Sequence, residues 1–126
     1  MDITEEILQQ FNQSWAATQN NFGDLIDDNP ALSHLIPIYN YIPKLKKAGW
    51  VQHFRLGILH QDLIISRSIE STLKADQKFI SVKATESSFI VTLKDKKRMY
   101  KQYTIKDLDD ERFEELLQTL KEHLIS

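Results

Sequence analysis

The chain has 126 residues, 41% of them hydrophobic and 27% charged, and a formal net charge of −2 at pH 7. A chain of this length forms one domain, residues 1–126, around one hydrophobic core. Cysteine is absent and no apolar run could span a bilayer, which excludes disulfides and thiolate sites and predicts no membrane contact. Because the N-terminus, MDITEEILQQ, is acidic and polar, it does not resemble a signal peptide, and we expect a cytoplasmic protein.

The first predicted element is an amphipathic helix. Asp2 and Glu5 have the spacing of a capping box. Apolar residues then recur on one helical face, at Ile7, Leu8, Phe11 and Trp15. Asn20, Asn21 and Gly23 predict a turn that ends this helix.

Two short helical segments are predicted next, in a stretch broken by prolines. Asn29 and Pro30 have the types expected of a cap and a first helical position, and Pro37 is predicted to stop that helix. A second short turn of helix is predicted to begin at Pro43 and to end at Gly49.

After Trp50 the apolar residues recur with a period of two, which predicts strands. HFRLGIL and LIISRS flank the reversal HQD and predict a hairpin, and Gly57 within the first strand predicts a bulge. KFISVKA, SFIVTLK and RMYKQYTI predict a meander of three further strands. IESTLKADQ, which precedes them, fits one or two turns of helix.

The last helix has the clearest pattern. Asp109 is its predicted cap, and Leu108 has the spacing to pack on Phe113 as a hydrophobic staple. An apolar stripe follows at Phe113, Leu116, Leu117, Leu120 and Leu124. The elements together predict an α+β domain, in which N-terminal helices and this C-terminal helix pack on one face of an antiparallel meander sheet of about five strands.

Charge is divided into three blocks along the chain. Residues 1–43 contain no Lys or Arg and carry −6, residues 44–106 carry +9, and residues 107–126 carry −5. Acidic ends therefore flank a basic middle. Such asymmetry bears on partners and association rates more than on the fold.

The densest basic segment, KDKKRMYKQY at residues 94–103, has two interpretations. The first is a solvated hairpin tip whose lysines discourage pairing with other molecules. The second is a nucleic-acid surface, in which cations hold phosphates and tyrosines stack on bases. The candidates for it are Lys94, Lys96, Lys97, Arg98, Tyr100 and Lys101. Strand alternation weighs against it, because Tyr100 and Tyr103 would point to opposite faces.

The sequence contains no clear match to the motifs of enzymes. The four histidines have no spacing of a local metal pair, and the three glycines are too isolated for a phosphate loop. Asp62 with Asp76 and Lys78 follows the order of carboxylates and lysine in metal-dependent nucleases, but the parallel strand pair typical of those enzymes is not evident. We expect neither an enzyme nor a cofactor or metal.

A protein-binding role remains. Tyr39 and Tyr41 lie in the proline-stiffened stretch HLIPIYNYIPKL, where tyrosines supply contact area at small entropic cost unless the stretch is simply core. The separated charge blocks favour steered association with a charged partner. The candidate partner-binding residues are Asp24, Asp27, Asp28, Tyr39, Tyr41, Asp107, Asp109, Asp110, Glu111 and Glu114.

In size, charge and lack of catalytic motifs the chain resembles, in general type, the bacterial immunity proteins, which neutralise a cognate toxin by binding it. The resemblance implies acidic groups on the terminal helices that cover a basic site on the toxin domain. Small secretion-type chaperones are similar in size and in their mix of helix and sheet, and they stay open as an alternative, as does nucleic-acid binding. The sequence leaves the oligomeric state undecided.

Overall fold

The computed structural model describes residues 5–68, 78–95 and 98–122. Within these ranges the α-helices are α1 (Glu5–Asp28), α2 (Ile36–Lys47) and α3 (Glu111–Lys121), and the strands are β1 (Arg55–Leu59), β2 (Asp62–Ser66), β3 (Lys78–Ala84), β4 (Phe89–Asp95) and β5 (Arg98–Ile105). Short 3-10 helices, Pro30–Leu35 and Trp50–Gln52, flank α2. Each strand pairs antiparallel with the next, in the order β1-β2-β3-β4-β5. The predicted α+β architecture is confirmed.

Helix α1 runs through the positions where a turn was predicted. Residues 20–23 are helical, so the predicted turn at Asn20, Asn21 and Gly23 is wrong. Phe22 is fully buried, and this packing holds the helix together beyond the two asparagines. A Cβ at Gly23 would lie 3.3 Å from Cε2 of Tyr39, so the glycine allows α2 to pack closely on α1. The predicted capping residue Asp2 lies outside the described residues.

Helix α1 also covers the outer edge of β1. The Ser14 hydroxyl donates to the carbonyl of Phe11 at 2.6 Å and accepts from the backbone N–H of Leu56 at 3.0 Å. Trp15 Nε1 donates to the carbonyl of Phe54 at 2.8 Å. Backbone groups at the start of this strand are thus paired by helix side chains, which avoids the cost of leaving them unpaired.

The proline-containing stretch folds differently from its prediction. Asn29 does cap a 3-10 helix, because its Oδ1 accepts from Ala31 N at 3.1 Å. Pro37, however, lies in the first turn of α2, where a missing N–H is harmless, and Pro43 lies inside the same helix. The predicted stop at Pro37 and start at Pro43 are therefore wrong. Gly49, with φ +96, follows the end of α2 as predicted.

The meander has regular pairing except at one place. His60 and Gln61 form the β1–β2 turn, both with positive φ. Gly57 pairs in register with Ile64, so the predicted bulge there is wrong. The register shift instead lies between Leu93 and Lys94, opposite β5. The ambiguous segment at residues 69–77 lies outside the described residues.

The core lies between one face of the sheet and the three α-helices, with Trp15 and Phe22 contributed by α1. It includes Ile80, Val82, Val91, Leu93 and Ile105 from the strands, Ile38 and Ile42 from α2, and Phe113, Leu116, Leu117 and Leu120 from α3. The predicted stripe on the last helix is thus buried, apart from Leu124, which lies outside the described residues. The cap is Asp110 and not Asp109, because Asp110 Oδ1 accepts from Arg112 N at 2.9 Å.

Candidate partner-binding surface

The loop between β5 and α3 displays carboxylates on a fixed backbone. Asp107 Oδ1 accepts from the backbone N–H of Asp109 at 2.9 Å, a side-chain turn that holds the loop. Asp107 and Asp109 are both exposed. The loop therefore presents these two charges to solvent while Leu108 between them is buried in the core.

Tyr41 joins this loop from α2. Its hydroxyl donates to Asp109 Oδ1 at 2.9 Å, across 68 residues of sequence. Burial, the hydrogen bond and the negative charges of Asp109, Asp107 and Glu114 raise the pKa of Tyr41 well above its usual value. The phenol therefore stays a donor at physiological pH. The Tyr41 ring lies 6.3 Å from that of Phe113, so α2, the loop and α3 meet at this side chain.

An open groove of about 780 Å³ lies beside this contact. One wall is formed by the first 3-10 helix and α2, with Ala31, Ser33, His34, Pro37, Tyr41 and Lys44. The other wall is formed by the β3–β4 turn and the β5–α3 loop, with Thr85, Glu86, Ser87, Ser88, Phe89, Lys106, Asp107, Leu108 and Asp109. The lining is mixed in charge, with three carboxylates and two lysines.

The end of α1 is close in sequence to one lining residue of the groove. Asp24, Asp27 and Asp28 are exposed, and no basic residue occupies the last turn of that helix. Ala31, which lines the groove, follows Asp28 by three residues, a stretch of chain that spans at most about 10 Å. Asp107 and Asp109 therefore line the groove, and Asp28 lies within a short stretch of chain from it.

The other predicted partner-binding residues separate into different environments. Tyr39 is half-buried and packs against Gly23 of α1, away from the contact that Tyr41 makes. Asp110 binds Arg112 through both oxygens, at 3.1 Å to Nε and 3.0 Å to Nη2, and these hydrogen bonds lower the pKa of Asp110. Glu111 and Glu114 are exposed in the first turn of α3.

The basic segment is not gathered on one face by the described residues. Lys94 Nζ lies 5.8 Å from the ring of Phe79, on the face opposite the core. Lys101, which pairs with Leu93 in the ladder, lies on the core face and binds Glu115 Oε1 at 3.1 Å. Lys96 and Lys97 lie outside the described residues, as do the side chains of Arg98 and Tyr100. The nucleic-acid interpretation stays a prediction.

Sequence reasoning missed the wall formed by the β3–β4 turn. Thr85 and Ser88 hold this turn through a backbone bond of 2.9 Å and a hydroxyl contact of 2.8 Å. This turn and the loop after β5 lie at the same end of the sheet, because β4 and β5 run antiparallel between them. No local pattern could have associated Glu86 or Ser88 with Asp107.

In the part of the chain that the structure describes, no three His, Cys, Asp or Glu side chains come together as a metal site. No described helix combines the length and the apolar character needed to cross a bilayer. Comparison with known proteins gives no significant match to a family model, to a curated protein or to a solved structure.

Proposed function

We propose that this protein works by binding a basic surface on another protein, without catalysing a reaction. The observation that supports the proposal is that Asp107 and Asp109 line one groove, whose lining residue Ala31 follows Asp28 by three residues. These carboxylates come from blocks of sequence separated by the basic middle of the chain, and we propose that a partner contacts both.

The aspartates at the end of α1 support an external role because they do not help the helix. The C-terminal end of a helix carries a partial negative charge, so each acid there costs about 0.3–1 kcal/mol and a base would be favourable. Asp24, Asp27 and Asp28 are retained there without a basic neighbour in the last turn. Residues that break a local rule without a structural gain are candidates for function.

The groove and its rim suggest how the contact works. Exposed carboxylates attract a basic partner over long range and raise the association rate. The ring of Tyr41, held by Asp109 and by its contact with Phe113, then offers a rigid apolar surface on one wall. Asp110 is engaged by Arg112 and contributes less than Glu111 and Glu114.

An immunity-type protein is the particular case that we propose. Its partner would be a toxin domain whose active site is basic, as sites that bind nucleic acid are. Covering that site with carboxylates inhibits the toxin in a one-to-one complex, and such inhibition needs no chemistry from the inhibitor.

The experiment compares two charge reversals on the same helix. Tagged wild-type protein, Glu114→Lys and Glu122→Lys are used for affinity capture from the cells that make this protein, and the recovered partner is purified and titrated against each. Both positions are exposed, but Glu114 lines a small cavity together with Tyr41 and Asp109, which also line the groove, whereas Glu122 follows the last residue of α3. We expect Glu114→Lys to weaken binding about tenfold or more at low salt, with Glu122→Lys close to wild type.

Equal binding by both variants would show that the partner does not use this surface. Recovery of an acidic protein, or of nucleic acid with a steep salt dependence, would contradict the proposal directly.

A further inference from the structure

A second and smaller cavity lies between α2 and the start of α3. Its volume is about 220 Å³, whereas pockets for small molecules span about 300–1,000 Å³, so this cavity suits a single side chain. It adjoins the groove, because Tyr41, Lys44, Leu108 and Asp109 line both. A group that enters it can therefore belong to the same partner that the groove contacts.

The lining of this α2–α3 cavity is apolar where it is buried and carries charge where it is exposed. The buried lining residues are Leu45, Trp50, Leu108, Phe113 and Leu117. The exposed lining residues include Asp109 and Glu114. An apolar floor below carboxylates matches a side chain with an apolar stem and a positive end, and lysine and arginine have that form.

Two carboxylates at the cavity are not neutralised by the protein's own cations. In the described part of the chain, no Lys or Arg forms an ion pair with Asp109 or Glu114. The Tyr41 hydroxyl donates to Asp109 Oδ1 at 2.9 Å and so holds this carboxylate, while no described group donates to its Oδ2. Asp110 differs, because Arg112 binds both of its oxygens. Asp109 and Glu114 can therefore receive a cation from outside.

The ring of Tyr41 already attracts a cation of this chain. Lys44 Nζ lies 5.8 Å from the ring centroid, which is within cation–π distance. Lys44 is exposed and no described carboxylate pairs with it, so this contact holds the ammonium weakly. A cation that also meets Asp109 and Glu114 would displace Lys44 from the ring.

We propose that the α2–α3 cavity binds one arginine side chain of the partner. The methylene groups lie over the apolar floor, and the guanidinium lies between Asp109 and Glu114. Arginine suits the site better than lysine, because a planar guanidinium donates to two carboxylates at once and stacks on an aromatic face. Arginines in pockets are also typical of the few residues that dominate an interface. The inference rests on the proposed function and names the group that is recognised.

The test uses the purified protein alone and two blocked tripeptides, Gly-Arg-Gly and Gly-citrulline-Gly, at low salt. Citrulline has the shape of arginine without its charge. We expect the arginine peptide to bind about five-fold or more tightly than the citrulline peptide, because charge-assisted hydrogen bonds are about twice as strong as neutral ones. Amide resonances of residues 41–48 and 109–117 should shift in NMR spectra as the arginine peptide is added.

Two pairs of variants then locate the site. Glu114→Gln is expected to weaken the arginine peptide about five-fold, while Glu122→Gln, which follows the last residue of α3, should bind as wild type does. Lys44→Gln frees the Tyr41 ring and is expected to tighten binding about two-fold or more. Lys47→Gln is its control, since it removes the same charge from the same last turn of α2 but does not line the cavity.

Equal binding of the two peptides overturns the inference, and so do shifts confined to other residues. It also fails if Glu114→Gln binds as wild type does, or if Lys44→Gln binds no more tightly than Lys47→Gln. The spectrum of each variant shows whether it is folded. A basic partner recovered by affinity capture, without binding of the arginine peptide at the cavity, would contradict this inference and leave the proposed function standing. Binding of the peptide together with recovery of an acidic partner would do the reverse.

Discussion

At the scale of single residues, His53 shows how an environment is assembled from distant parts of the chain. Its ring lies 6.2 Å from that of Trp50 and 6.3 Å from that of Phe54. Partial burial lowers its pKa, and the positive charges of Lys121 and Arg67 lower the pKa further. The neutral imidazole is therefore the form that the folded protein favours.

This shift makes stability depend on pH in a defined direction. In the unfolded chain His53 takes up a proton near pH 6.5, while in the folded protein it does so only at a lower pH. Between these values the unfolded state binds more protons, so the free energy of unfolding falls as pH falls below about 7 and levels off below the folded pKa. Urea unfolding across this range should show the fall in wild type and a smaller fall in His53→Gln.

His60→Gln, at the exposed β1–β2 turn, is the matched control for the loss of a histidine outside this cluster. A His53→Gln protein with an unchanged slope would show that other groups cause it.

At the scale of elements, α2 contains a proline in an unfavourable position. Pro43 cannot donate to the carbonyl four residues earlier and its ring crowds that turn, whereas Pro37 lies in the first turn, where the N–H would be unpaired in any case. Both side chains are exposed, so neither substitution removes core packing.

We expect Pro43→Ala to raise the free energy of unfolding by about 2 kcal/mol, since it restores a helical hydrogen bond at a modest cost in unfolded-chain entropy. Pro37→Ala should change it by well under 1 kcal/mol or lower it slightly. Chemical denaturation of the two variants measures the contrast. Equal effects at both positions would mean that the helix tolerates Pro43 without strain.

Elements with a strong local pattern were predictable, and elements decided by tertiary packing were not. The strand alternation in KFISVKA and the apolar stripe from Phe113 to Leu120 predicted β3 and α3, because burial on one face imposes those periods. Gly23 suggested a turn, yet its missing Cβ serves the packing of Tyr39. Nothing near Gly23 in the sequence identifies Tyr39 as its neighbour.

At the scale of the whole molecule, the same charges are expected to lower stability and to favour binding of the partner. We expect Asp27→Lys to raise the free energy of unfolding by about 0.5–1 kcal/mol at low salt, because it places a cation at the negative end of α1. The same change should weaken binding to the proposed partner. Glu6→Lys, with the same change of charge at the opposite end of α1, should lower stability.

Chemical denaturation at low and high salt measures the free energy of unfolding of these two variants. The helix dipole predicts that the two changes have opposite signs. If both raise stability, net charge and not the helix dipole governs the effect. If Asp27→Lys binds the recovered partner as tightly as wild type does, the end of α1 is not part of the contact surface.

The acidic residues of the candidate site could be found from sequence, but their arrangement could not. The run from Asp107 to Glu114 and the tyrosines were recognisable as candidates from charge and composition. The bond between Tyr41 and Asp109 spans 68 residues, and Tyr39 turned out to face α1 instead. A contact of that kind depends on how α2 packs against the β5–α3 loop, which no pattern within either segment specifies.

The Ser14 hydroxyl that accepts from Leu56 N helps to close one margin of the sheet to strand addition. A sheet with two available margins can polymerise without limit, as fibrils do. With α1 seated over the start of β1, a further strand cannot be added at that margin. A mutation that detached α1 would uncover the edge of β1 and favour aggregation by strand addition.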